Sequence, residues 1–200
     1  MNTYTTYKVQ KKGTGKFYPF VFNDIMGLSS DRGVLVDDIK LALEGHVKEG
    51  YKFNPESKLS EGDQNYVRSP TDKVHVLVCV IPADTLPVIP ETTLQKIRDV
   101  RGAASELGIP QVVILTKIDE VQPEIKKNLR DVYRAHFLKT MMEKFSADVG
   151  IPMNCIFPVK NYHEEVHLNN DIDSLLLNSL ENLINFGDDC ISFRRIQAEG

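Results

Sequence analysis

Asp24, Gly27, Lys117, Asp119 and Lys160 are the residues of this chain whose types and spacing could do chemistry. Asp24-Ile25-Met26-Gly27 places a carboxylate three residues before a glycine, the DxxG pattern of GTP-binding proteins. Such a carboxylate faces a magnesium ion through water, because Mg²⁺ keeps part of its hydration shell. The glycine lets a backbone N–H approach a terminal phosphate oxygen. Taken alone, the same stretch is equally a turn in which Asp24 caps a helix predicted over residues 34–43. Thr116-Lys117-Ile118-Asp119 matches the (N/T)KxD element that reads guanine. An Asp carboxylate has two acceptor oxygens for the ring N–H and the exocyclic amino group of guanine, a paired donor edge that adenine lacks. A site built on such buried bonds rejects an analogue without them by about 10⁴-fold. The Lys117 stem can lie across a base while its ammonium stays wet. The plainer alternative is a polar strand-to-helix loop with Asp119 near a helix start.

A third segment, Pro158-Val159-Lys160-Asn161-Tyr162, follows the last apolar run. A loop there can present a backbone N–H to the guanine carbonyl oxygen, and an ordinary surface loop explains it as well. What ties the three together is order, since each follows a successive strand. Other candidates are weaker. The stretch from Lys11 to Phe17 falls short of GxxxxGK(S/T), which would need glycine at Gln10 and a hydroxyl at Phe17. It also feeds a strand, so no helix N-terminus is offered to an anion. His163 and His167 have the i, i+4 spacing of a helical metal site, but the surrounding Asn-rich sequence predicts a solvated loop. No Ser/His/Asp set can be argued from spacing.

The elements that must position these residues follow from periodicity. Residues 5–10 and 17–23 are β-branched and aromatic and flank KKGTGK, which predicts a hairpin. Residues 74–80, 111–115 and 155–159 are short, nearly continuous apolar runs, the signature of parallel strands covered by helices on both faces. Between them, Leu94, Ile97, Val100, Ala104 and Leu107 recur at helical spacing until Gly108-Ile109-Pro110. A second helix is predicted from Pro123, carrying Ile125, Leu129, Val132 and Phe145, to Gly150. A last one is capped by Asn169 or Asn170 and closes at Gly187. Strand–helix alternation predicts an α/β fold with a mainly parallel sheet. Residues 45–73 break the rhythm and predict an irregular or disordered excursion, the alternative being a functional lid.

Composition narrows the function classes. The chain has 200 residues, enough for a real core. Its 24 basic and 28 acidic residues give a formal net charge of −4, against a chain-wide nucleic-acid or membrane footprint. The longest apolar stretch, residues 74–83, is far short of the ~20 residues that span a bilayer, and residues 1–13 lack the apolar core of a signal peptide. Cys79, Cys155 and Cys190 lie far apart, which suits a reducing compartment and excludes a sequence-local zinc knuckle.

With these residues in view, the chain resembles the interferon-induced protein 44 and 44-like family, GTP-binding relatives of the dynamin and guanylate-binding groups. The resemblance spans nearly the whole sequence. It is carried by FNDIMGL (22–28), VDDI (36–39), YKFNP (51–55), SPTDKVH (69–75), LTKIDE (115–120), IPMNCIFPVKNY (151–162) and LLLNSLENLINFGDD (175–189). It implies a P-loop NTPase-like (GTPase-type) α/β fold, a mainly parallel sheet with helices on both faces that here misses the first strand and the P-loop. On this reading residues 1–187 form a truncated GTPase-like domain with a 45–73 insertion, and 188–200 are a C-terminal tail. The resemblance implies GTP or GDP on Gly27, Thr116, Lys117, Asp119, Lys160 and Asn161, with magnesium at Asp24 through water. It implies an interferon-inducible, cytoplasmic protein of the innate antiviral response, with protein partners, no nucleic acid and no transmembrane segment. Leu28 stands where small GTPases carry a water-orienting glutamine, so catalysis is not expected. The missing P-loop would supply several charge-assisted hydrogen bonds of about 1.5–3 kcal/mol each. Without three or four of them, affinity falls by about 10⁴-fold or more. The alternative is a protein-interaction module, or a truncated isoform of the same fold, that binds no nucleotide.

Overall fold

The computed structural model describes residues 2–29 and 32–199. The chain divides into two compact units, Met1–Val74 and His75–Gly200, where the sequence predicts one domain over residues 1–187.

In the first unit, strand β1 (Thr5–Gln10) pairs antiparallel with β2 (Phe17–Asp24), and Thr5 faces Asp24 across the pair. This is the predicted hairpin, but it forms a two-stranded sheet of its own rather than joining a larger parallel one. Among the described residues each strand pairs in a sheet only with the other, and Tyr7, Val9, Phe17, Tyr18, Val21 and Phe22 are exposed. The unit's core lies instead between helix α1 (Val36–Glu44) and the excursion that follows it. Ile39, Ala42 and Leu43 of α1 are buried with Val47, Tyr51, Phe53 and Leu59.

The 45–73 excursion is irregular but tied down. Its backbone bonds to the N-terminal segment, Tyr4 N–H to the Tyr51 carbonyl at 2.8 Å and Phe53 N–H to the Asn2 carbonyl at 2.8 Å. It also bonds to itself, Val67 N–H to the His46 carbonyl at 2.8 Å. The His46 ring stacks on Tyr66 at 4.9 Å and its Nδ1 donates to the Val67 carbonyl at 2.7 Å. Gly45, which ends α1 at φ 85°, must be glycine, because a Cβ there would lie 2.5 Å from the Asp72 carbonyl oxygen. Fully buried Asp38 accepts the Leu59 N–H at 2.8 Å and so pins the middle of the excursion to α1.

The second unit is α/β. Strands β3 (Leu77–Pro82), β4 (Gln111–Thr116) and β5 (Ile156–Pro158) form a parallel sheet in the order β3-β4-β5. Helix α2 (Glu91–Glu106) connects the first two and buries Leu94, Ile97, Val100 and Ala104 of the predicted stripe, while Leu107 is its half-buried C-cap. The sequence predicts one helix from Pro123 to Gly150; after the short α3 (Ile118–Val121) the structure has three pieces there, α4 (Pro123–Lys127), a 3₁₀ segment (Leu129–Arg134) and α5 (His136–Val149). Pro123 forces Gln122 into extended backbone, and Asn128 and Ala135 are likewise non-helical. The predicted apolar residues Ile125, Leu129, Val132 and Phe145 are nonetheless all buried, so the pattern survives the breaks. Arg98 and Arg101 of α2 donate to the Asp148 and Val149 carbonyls, satisfying the orphan acceptors at the end of α5.

Helix α6 (Asn170–Glu199) corrects the expectation of a stop at Gly187 and a tail over residues 188–200. Asn169 caps it as predicted, its Oδ1 accepting the Asp171 N–H at 2.9 Å and the Ile172 N–H at 3.2 Å. At Gly187 the helix runs close to Val76, where a Cβ would sit 3.5 Å from Val76 Cγ2. One turn on, Cys190 is buried with its Sγ 3.8 Å from the Gly108 carbonyl. That packing carries the helix past a residue costing about 1 kcal/mol relative to alanine. Among the described residues no helix is long and apolar enough to cross a membrane.

Candidate functional site

Register puts the candidate residues together. Leu115 of β4 is paired with Pro158 of β5, and the Val159 N–H bonds the Leu115 carbonyl at 2.8 Å. The chain therefore leaves both strands side by side at their carboxyl ends, where parallel sheets bind ligands. Thr116 is buried, and Lys117 then turns in the left-handed region at φ 55°, the only non-glycine residue among those described with positive φ. That conformation costs a lysine about 1–2 kcal/mol, and such strain gathers at functional sites. It is held by the neighbours: Ile118 is fully buried, and the Glu120 N–H bonds back to the Lys117 carbonyl at 3.0 Å. The result leaves Lys117 exposed and turns Asp119 into the first turn of α3.

Asp119 is only 13% exposed, and its Oδ2 lies 3.8 Å from Lys160 Nζ, itself 11% exposed. No described residue donates a hydrogen bond to the Asp119 carboxylate. Lys160 instead makes a direct contact with Glu165, which is 24% exposed. The other oxygen of Glu165 accepts the His163 N–H at 2.9 Å and the Glu164 N–H at 3.2 Å. Tyr162 ties this loop to α6, its hydroxyl donating to Asp173 at 2.8 Å and accepting the Asn169 N–H at 2.7 Å. Asn161 is exposed beside Lys160.

The structure thus brings Thr116, Lys117, Asp119, Lys160 and Asn161 to the ends of two adjacent strands. Asp24 and Gly27 belong to the other unit. There Asp24 ends β2, exposed, and does not cap α1, whose N-cap is Leu35. The Gly27 carbonyl accepts the Val34 N–H at 3.2 Å, and no atom lies within 4 Å of where a Cβ would stand. A lone exposed carboxylate fits magnesium only as a partner through water, with the remaining ligands coming from phosphate and solvent. His163 is exposed, and no group of three or more His, Cys, Asp or Glu among the described residues could hold a metal.

Glu165 is the residue that sequence reasoning missed. The His163 and Glu164 amides, with the Lys160 ammonium, favour the ionised carboxylate over the neutral acid. The His163 N–H is the largest influence and Lys160 the next, and together they take Glu165 down to about 2. A depressed acid contributes stability above its ordinary range and loses it as pH falls through the folded value. The His163 amide resonance should therefore stay flat through mild acid and move with a midpoint near pH 2. An amide midpoint near the ordinary ~4.3 would show that the loop is not held this way.

Comparison with known proteins adds a second line. The chain is 29% identical over 189 residues to interferon-induced protein 44 of Homo sapiens, covering 93% of this chain and 43% of that one. The Pan troglodytes protein of the same name gives the same values. Interferon-induced protein 44-like of Homo sapiens is 26% identical over 201 residues, 98% of this chain and 44% of that one. The chain spans less than half the length of the curated relatives it matches. No family model matches it, and no solved structure does. Over most of its length the chain is similar to proteins named interferon-induced protein 44 and interferon-induced protein 44-like.

Proposed function

We propose that the chain is a guanine-nucleotide-binding-type module of an interferon-induced, cytoplasmic protein of the antiviral response, reading the base rather than hydrolysing the nucleotide. The observation that carries this reading is Asp119: a mostly buried carboxylate just beyond a parallel strand, with no hydrogen-bond donor among the described residues. Lys160 at 3.8 Å gives it an ion pair but no hydrogen bond, and a ligand with two adjacent N–H donors supplies the bonds it lacks. Thr116, Lys117, Lys160 and Asn161 line the same strand ends. The sequence contains no GxxxxGK(S/T), so binding is weak, in the range of about 10⁻³ M. Titration with a fluorescent GTP analogue and magnesium tests this. The expected outcome is saturable binding displaced by GDP and not by ATP. Equal displacement by both would remove the base-reading assignment.

A second reading, a protein-interaction module that binds no nucleotide, is favoured by the hairpin. Phe17, Tyr18, Val21 and Phe22 are exposed on one strand, an apolar concentration of the kind that marks binding surfaces. Saturable guanine-selective binding, even at millimolar concentration, would count against it.

A further inference from the structure

Two carboxylates and one ammonium share the rim of the second unit, and their distances are unequal. Lys160 is in direct contact with Glu165 but stands 3.8 Å from Asp119, an ion-pair separation without a hydrogen bond. Glu165 is a fixed anchor, because its second oxygen is held by the His163 and Glu164 amides. Lys160, by contrast, is a flexible stem whose ammonium carries three donors. Without Glu165 its shortest path to a partner closes the gap to Asp119, forming a charge-assisted bond of about 2.8 Å in a poorly solvated place. Any ligand donor would then have to displace it.

We propose that Glu165 is a positioning residue for the base-reading carboxylate: it takes the Lys160 ammonium, so that Asp119 keeps its acceptor oxygens for the ligand. This rests on the proposed function for the ligand's identity but not for the geometry. The group of three carries a net single negative charge, which favours a donor edge over an acceptor edge at the same place. The signal could not be read from spacing, since Glu164-Glu165 between two histidines resembles solvated charge.

The test uses the 200-residue chain and two readouts. In the unmodified protein, the Lys160 ¹⁵Nζ should show hydrogen-bond coupling to the Glu165 carboxyl carbon and none to Asp119. Coupling to Asp119 would overturn the proposal without any variant. In Glu165→Gln, which can still accept the amides, a structure should place Lys160 Nζ within hydrogen-bond distance of Asp119. A Lys160 that stays where it is would also overturn it. With GDP as probe, Glu165→Gln should lose about tenfold in affinity. A merely structural role for Glu165 predicts lowered stability with Lys160 left where it is. If the unmodified chain binds no GDP, the base-reading function fails, while the coupling and the Lys160 displacement still decide the positioning role.

Discussion

Replacing Asp119 with asparagine should turn a guanine preference into a xanthine preference. The aspartate offers two acceptors, and guanine answers with a ring N–H and an exocyclic amino group. Asparagine keeps one acceptor and presents an NH₂ donor in place of the other. Xanthine carries a carbonyl where guanine carries the amino group, so the variant pairs with xanthine and sets two donors against each other with guanine. Asp119 is only 13% exposed, so water cannot repair the mismatch fully. Each lost bond to a charged group is worth about 1.5–3 kcal/mol, which makes the expected reversal about tenfold to a hundredfold. It can be read at weak affinity by ligand-observed NMR with GDP and XDP in competition. Unchanged preference in Asp119→Asn would mean that this carboxylate does not face the base.

The same residue shows what was legible in the sequence. TKID after an apolar run is local information, and the run is indeed β4 with Asp119 at its end. That Lys160 would arrive beside it follows from parallel register, Leu115 opposite Pro158, which successive strands make natural. The role of Glu165 was not legible, because it depends on a turn that folds five residues back on themselves. Nor were the breaks at Gln122, Asn128 and Ala135 legible, since the buried positions keep helical spacing across them. The run of α6 past Gly187 depends on Cys190 meeting the Gly108 carbonyl, a contact 82 positions apart in the chain. In the first unit the hairpin was plain from its turn and strands, but its separate sheet was not. Pairing between strands is decided by long-range partners, and FYPFVF reads as a strand whether or not anything covers it.

Asp38 is a further residue whose letter misleads, and it should give the largest stability effects. An acidic residue beside acidic Asp37 in VDDI reads as solvent-facing, and Asp37 is, pairing with Lys58 at 3.2 Å on the surface. Asp38 is fully buried, with Oδ1 on the Leu59 N–H at 2.8 Å and Oδ2 unpartnered. Burial pushes its carboxyl above the ordinary range, outweighing the pull of the Leu59 N–H and of Lys58, while Asp37 adds to the rise. The folded state then binds the proton more tightly than the unfolded one. Stability falls as pH rises from the ordinary carboxylate range through the raised value, and above it the ionised group is a constant cost. Asp38→Asn keeps an acceptor for Leu59 and removes the charge, so it should abolish that acid-side slope and melt no lower than the parent at neutral pH. Asp38→Ala leaves the Leu59 N–H buried without a partner, at a cost of about 1–3 kcal/mol. For a unit of this size that is a fall on the order of 10 °C, with the Leu59 amide exchanging far faster. If asparagine melted as low as alanine, the charge rather than the acceptor would be what holds residues 45–73 to α1, and the ordering argued here would be reversed.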